Sequence, residues 1–279
     1  MAGTARPHLR LFSGDAGPVV DNPAEPTDRL FHREAFRKPP RGEALEPFSQ
    51  EWFERMAECR YERQGYWLPR VLEFAKHRGE RLLALGEGLG TDWVQYAKNG
   101  ADVSVLCPSQ EQLELIHAHF DLCGVEGRFV HGSVQALPIP SDTIDVVCLF
   151  GMLHEVDEPE MTVHEVFRVL RPGGKVIAVA PARYNAHYWS QAALPWRRLF
   201  ARSKSENIPA AQTAKTFKEL FGEFVEHRVS KRHLRRGELP PLWRWAPLPA
   251  LERLMGNLLI LKAFKPLSTA ANGENRMAA

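Results

Sequence analysis

The chain has 279 residues, 44% hydrophobic and 25% charged, proportions of a globular protein with room for one large domain and extensions. Its formal net charge of +2 gives no push toward nucleic acid, so none is expected as a partner. Four cysteines, Cys59, Cys107, Cys123 and Cys148, stand apart with no CxxC pair, which excludes a disulfide framework or a zinc site and reads as free thiols in a reducing compartment.

Residues 1–28 carry Gly, Pro, Asp and Ala without periodicity and read as a disordered arm. The arm has no apolar segment of a signal peptide, and no apolar run in the chain is long enough to span a bilayer. A cytoplasmic protein is the expectation. Residues 29–80 form a helical extension, in which Trp52, Met56, Tyr61, Tyr66 and Leu68 mark an amphipathic stretch leading into a helix over Leu68–His77. Its aromatics are packing groups or a roof over a cleft.

From Arg81 the pattern is regular, and residues 81–266 are taken as one domain, followed by a disordered tail over 267–279. Apolar strands are predicted at Leu82–Leu85, Val103–Leu106, Phe129–His131 and Ile144–Phe150, with helices at Asp92–Asn99, Gln110–Leu122 and Met161–Val169. Arg171–Gly174 reads as a tight turn into a fifth strand, Lys175–Ala180. A helix near Ala214–Phe221 and two late strands, Phe224–Val229 and Leu258–Phe264, complete the series. Alternating strand and helix argues a parallel sheet covered on both faces.

The stretch Leu82 to Asp92 runs from strand into a glycine-rich turn, Gly86-Glu87-Gly88-Leu89-Gly90, and then into a helix. Glycine lets the backbone approach a ligand where a Cβ would collide, and the helix aims its first N–H groups at the turn. Such a turn binds nucleotide-like cofactors. The dinucleotide fingerprint G-x-G-x-x-G is not met, because the third glycine is Gly90 and Thr91 stands where Gly or Ala is needed.

A longer ordered series carries more information than the loop. After it come Gly100-Ala101-Asp102-Val103, Gly132-Ser133-Val134-Gln135-Ala136-Leu137-Pro138, Ile144-Asp145-Val146-Val147 and Val166-Phe167-Arg168-Val169-Leu170-Arg171-Pro172-Gly173-Gly174. In this order and spacing they resemble the class I S-adenosylmethionine-dependent methyltransferases, and within them the ubiquinone/menaquinone-type enzymes of small molecules. The resemblance spans roughly residues 60–265. It implies a Rossmann-like seven-stranded α/β sheet with helices on both faces and an antiparallel last strand. It implies S-adenosylmethionine as cofactor, held by Gly86, Glu87, Gly88, Gly90, Cys107, Pro108, Ser133, Val134 and Phe150. No metal is implied, since no His/Asp/Glu cluster has ligand spacing.

Three positions depart from the family. The acidic residue that takes the ribose hydroxyls at the end of the second strand is Cys107, the aspartate after the third strand is Ser133, and the acid before the first glycine is Leu85. A lost charge-assisted hydrogen bond costs about 1.5–3 kcal/mol, or one to two decades in affinity. Glu87, Ser133 and Gln135 offer partial replacement. Cys107 reads first as a small buried side chain, and Glu87 as either a ligand contact or a helix cap.

Beyond the fourth strand, His154 is a candidate base or orienting group, because its ordinary pKa permits proton transfer near neutrality. Beyond the fifth, Tyr184, His187 and Tyr188 stand where the family's acceptor site begins, so His154, Tyr184 and His187 are the catalytic candidates. The basic run from Arg228 to Arg236 reads as a solvated strand end or as a contact for an anionic substrate or membrane headgroups. Trp243 and Trp245, among prolines, read as a lining for a lipid-like acceptor or as surface packing. The reaction implied is methyl transfer to a small or lipid-like molecule. The alternative, motivated by Cys107, Ser133 and Leu85, is a non-catalytic protein of the same fold with a binding role.

Overall fold

The computed structural model describes residues 45–46, 48–86, 88–154, 156–186, 188–189, 211–236, 239, 243 and 245–267. The expected arm over 1–28 and nearly all of the expected tail lie outside these residues, as do Glu87 and His187.

Seven strands form one sheet in the order β3-β2-β1-β4-β5-β7-β6. They are β1 (Arg81–Leu85), β2 (Asp102–Cys107), β3 (Arg128–His131), β4 (Ile144–Phe150), β5 (Leu170–Pro181), β6 (Val225–Arg232) and β7 (Leu258–Phe264). The first five are parallel, and β7 runs antiparallel to both β5 and β6. The chain moves outward from β1 to β3 and then returns to β4 on the other side of β1. That reversal opens a crevice at the carboxyl ends of β1 and β4, where ligands of open α/β sheets bind.

The strands are near-continuous apolar runs because both faces are covered. On one face Leu83, Leu85, Val147, Leu149 and Ala178 pack against α5 (Pro159–Val169) and α6 (Ala214–Leu220) through Val163, Val166 and Phe217. On the other, Leu82, Ala84, Val105, Cys148 and Ile177 pack against α3 (Thr91–Lys98) and α4 (Gln110–Leu122) through Trp93, Val94, Ile116 and Phe120. The extension adds α1 (Gln50–Glu58), capped by Ser49, whose hydroxyl accepts from the Trp52 N–H. Trp52, Phe53 and Met56 of α1 bury against Leu89 and Leu115. A last helix, α7 (Leu248–Met255), packs beside β6.

Four local expectations change. α1 passes directly into a π-helix, Cys59–Gln64. The helix expected over Leu68–His77 is a short α2 (Leu68–Val71) and a 3₁₀ turn (Phe74–Lys76), parted by Glu73 in a left-handed conformation, φ 63°. The Glu73 carboxylate reaches back to Lys175 and Lys262 of the sheet, a distant contact that no local pattern signals. β5 begins at Leu170, because Arg171–Gly174 is a bulge within the strand rather than a turn before it. Ile144 pairs with Leu170 and Val146 with Lys175, and exchanges between Gly173, Gly174 and Lys265 at 2.9–3.0 Å continue the pairing beyond β7. β6 extends to Arg232, three residues beyond its expected end.

Candidate cofactor and acceptor site

The three loop glycines have φ of 150°, 127° and 69° at Gly86, Gly88 and Gly90, values that disfavour side chains. Two are also crowded. A Cβ on Gly86 would lie 2.9 Å from the Phe150 carbonyl oxygen, and one on Gly90 would lie 2.7 Å from Ile116 Cγ2. Gly88 differs, because a Cβ there would meet nothing within 4 Å. The loop is thus packed at both ends against β4 and α4 and opens at its middle.

Side chains from α4 fix that middle. The Gln112 amide donates to the Gly88 carbonyl, and His119 Nδ1 lies 2.6 Å from the Leu89 carbonyl, so Nδ1 carries the proton. Burial pushes the His119 pKa down to about 4 against the help of that hydrogen bond, and Phe53 of α1 stacks on the ring at 3.9 Å. A neutral imidazole is held over the loop.

The start of α3 is held from the extension. Arg60, on the π-helix, makes a two-point ion pair with Asp92, its Nε donating to Oδ1 at 2.7 Å. Tyr61 donates to the same carboxylate at 2.8 Å, and its oxygen lies 3.1 Å from the Thr91 carbonyl. Arg60 and Asp92 are 3% and 7% exposed. Burial opposes the Arg60 charge, but Asp92 outweighs it and raises the guanidinium pKa. Burial, then Asp92, raises the Tyr61 phenol well above its usual value. Beside them Thr91 Oγ1 is buried with no hydrogen-bond partner among the described residues. An orphaned hydroxyl and an open glycine at a helix N-terminus fit a polar ligand.

The other expected cofactor residues lie at the carboxyl ends of the strands beside the loop. Cys107 ends β2 fully buried in the apolar cluster with Leu113 and Ile116. The Pro108 carbonyl meets His131 Nε2 at 2.9 Å. Ser133 follows β3, exposed, and its hydroxyl accepts from the Gln135 N–H at 3.2 Å in a local turn, while Val134 is buried. Phe150 ends β4, buried and stacked on Trp93 at 4.8 Å.

Of the catalytic candidates, His154 is half-buried in the loop after β4. Tyr184 follows β5, 41% exposed, with its ring 5.0 Å from Tyr188 and its carbonyl taking Lys231 Nζ at 3.0 Å. The basic run is partly spent inside the fold: Lys231 also donates to the Leu254 carbonyl at 2.8 Å, and Arg232 to Glu252 at 3.1 Å. Trp243 packs on Leu234, Leu239 and Met255, whereas Trp245 is 91% exposed.

Arg60, Asp92, Gln112 and His119 are not among the residues singled out by sequence. Gln112 and His119 carried a signal, since they stand seven apart on one face of an amphipathic helix. Arg60 carried none, because the π-helix shifts its direction away from an α-helical pattern.

Residues 83–178 match the methyltransferase domain family. Demethylmenaquinone methyltransferase of Clavibacter sepedonicus is 36% identical over 100 residues, 36% of this chain and 40% of the relative. The chloroplastic 2-methyl-6-phytyl-1,4-hydroquinone methyltransferase 1 of Oryza sativa subsp. japonica is 28% identical over 156 residues, 50% of this chain and 47% of the relative. The chain thus spans less than half the length of these curated relatives. In fold it is similar to a SAM-dependent methyltransferase from Aquifex aeolicus, with a TM-score of 0.53 and 15% identity over 77% of this chain and 98% of that one. The matched stretch runs from β1 into β5, and the sheet order with its antiparallel β7 gives the chain a fold similar to that of the solved SAM-dependent methyltransferase.

Proposed function

We propose that the chain binds S-adenosylmethionine at the carboxyl ends of β1, β2 and β4 and catalyses methyl transfer to a small or lipid-like acceptor. The observation that carries this reading is the open Gly88 between two crowded glycines. Its φ of 127° calls for glycine in any case, and the open space beside it leaves room for a ligand. The methyltransferase-domain match and relatives named for quinone methylation support the same reading and favour a quinol-like ring as acceptor.

In this reading Gly86, Glu87, Gly88 and Gly90 hold the amino-acid end of the cofactor, with Thr91 Oγ1 as a further contact. Cys107, Pro108, Ser133, Val134 and Phe150 flank its nucleoside. S-adenosylmethionine supplies a methyl group already activated by a positive sulfur. The protein's task is then alignment of donor and nucleophile and exclusion of water. His154 would take the proton from an acceptor hydroxyl, and Tyr184 and His187 would orient that acceptor.

Isothermal titration of the full chain with S-adenosylhomocysteine tests the reading, beside Cys107→Asp. Micromolar binding by the wild type is expected. Cys107 is buried among apolar groups, so an aspartate there is expected to lower the melting temperature of the free protein, with recovery on adding ligand. Absence of binding by the wild type, with binding gained by Cys107→Asp, would instead favour a non-catalytic role.

A further inference from the structure

A cleft of about 780 Å³ opens between the extension, α7 and the β5-β7-β6 edge of the sheet. Its volume falls within the range of small-molecule sites, roughly 300–1,000 Å³. Lys175 of β5 and Lys262 and Phe264 of β7 line it from the sheet, Arg228 from β6, and Trp67 from beside α2. Lys175 pairs in register with Phe264, five residues into β5 and well before its carboxyl end. The cleft therefore reaches toward the edge opposite the glycine loop.

The charge in this cleft is unbalanced. Among the described residues Glu73 is the one carboxylate paired with Lys175, Lys262 at 3.0 Å and Lys76 at 3.1 Å. The Lys175 and Lys262 side chains are only 16% and 18% exposed, so one carboxylate answers two largely buried ammonium groups. Burial lowers the Lys262 pKa, and repulsion from Lys175 adds to it against the pull of Glu73. Farther along, Glu252 is matched by Arg232 at 3.1 Å, and Arg232 Nε is buried without a hydrogen-bond partner among the described residues. Arg228 reaches Glu226 only at 3.6 Å, with its side chain 76% exposed. Unneutralised buried charge is costly, and a bound anion offsets it. Aromatic surface adjoins the cations, with Lys175 Nζ 5.6 Å from the centre of the Phe264 ring.

We propose that this cleft is a second ligand site, for a small anion with a flat apolar body: an aromatic carboxylate, sulfonate or phosphate ester. Its charged group lies on Lys175, Lys262 and Arg228, and its body against Trp67 and Phe264. A bare anion would leave the rings wet, and a neutral ring would leave the lysines uncompensated.

The test is isothermal titration of the full chain with 1-naphthyl phosphate, inorganic phosphate and 1-naphthol, with and without S-adenosylhomocysteine. The expected result is one site for 1-naphthyl phosphate, binding about tenfold or more tighter than either fragment, and no displacement by S-adenosylhomocysteine. Lys262→Gln and Arg228→Gln should each weaken it about tenfold, the loss of one charge-assisted contact. Arg228 is exposed enough that its replacement leaves the fold intact, as near-ultraviolet circular dichroism would verify. Wild-type affinity weaker than about 1 mM, equal binding by Arg228→Gln and wild type, or displacement by S-adenosylhomocysteine would each overturn the proposal.

Discussion

Gly88 and Gly90 share a positive φ but answer to different neighbours, so replacing them has different consequences. Alanine at either position adds backbone strain of about 1–3 kcal/mol. At Gly90 the new Cβ also meets Ile116 Cγ2 at 2.7 Å, so Gly90→Ala is expected to be the less stable of the two in urea denaturation. At Gly88 the Cβ enters open space, where the proposed ligand lies. Gly88→Ala should therefore lose tenfold or more in S-adenosylhomocysteine affinity under conditions where it is fully folded. Equal affinity of Gly88→Ala and wild type would place the ligand elsewhere. Cys107 illustrates what a single residue in sequence does convey: a lone cysteine ending an apolar strand reads as a small buried group, and it is 0% exposed.

At the scale of elements, α3 depends on a π-helix outside the sheet. Removing Arg60 leaves the Asp92 carboxylate buried without its cation, a loss of about 3–5 kcal/mol. Arg60→Met is thus expected to lower stability sharply, and Tyr61→Phe by only about 1 kcal/mol. Arg60→Met/Asp92→Leu should recover much of the loss, because no lone charge remains. Strongly additive losses in that double-mutant cycle would show that the two side chains do not act as a pair. The sheet was legible from sequence because β1, β2, β4 and β7 are near-continuous apolar runs bounded by glycine or proline. Tertiary contacts set what was not legible. Glu73 breaks the expected Leu68–His77 helix for lysines 102 and 189 positions away, and the π-helix that aims Arg60 has no period in the sequence to reveal it. Around the site, the loop glycines announced themselves, whereas the Gln112, His119 and Asp92 contacts require knowing which helix faces lie together.

Across the whole molecule, two buried titratable groups tie the extension to the sheet domain, and they lose their contribution in different acid ranges. His119, stacked under Phe53 of α1, titrates in the folded state near 4 instead of its usual 6.5, because burial disfavours its charge. Below pH 6.5 the unfolded chain takes up that proton first. The stability His119 contributes is full above about pH 6.5 and is lost as pH falls to about 4, an effect of about 3 kcal/mol for a shift of this size. Glu73 behaves similarly at lower pH. Burial alone would raise its pKa, but hydrogen bonds from Lys175, Lys262 and Lys76 prevail and bring it from 4.5 down to about 2. Its contribution is full above about pH 4.5 and is lost as pH falls through 2. Urea denaturation across pH 2–7 should therefore show His119→Asn flattening the slope between about 4 and 6.5. Glu73→Gln should lower the neutral-pH plateau and converge on the wild type only at the acid end. A His119→Asn profile parallel to the wild type from pH 4 to 6.5 would mean the imidazole is not buried and neutral over the loop, and the support it gives Leu89 would have to come from elsewhere.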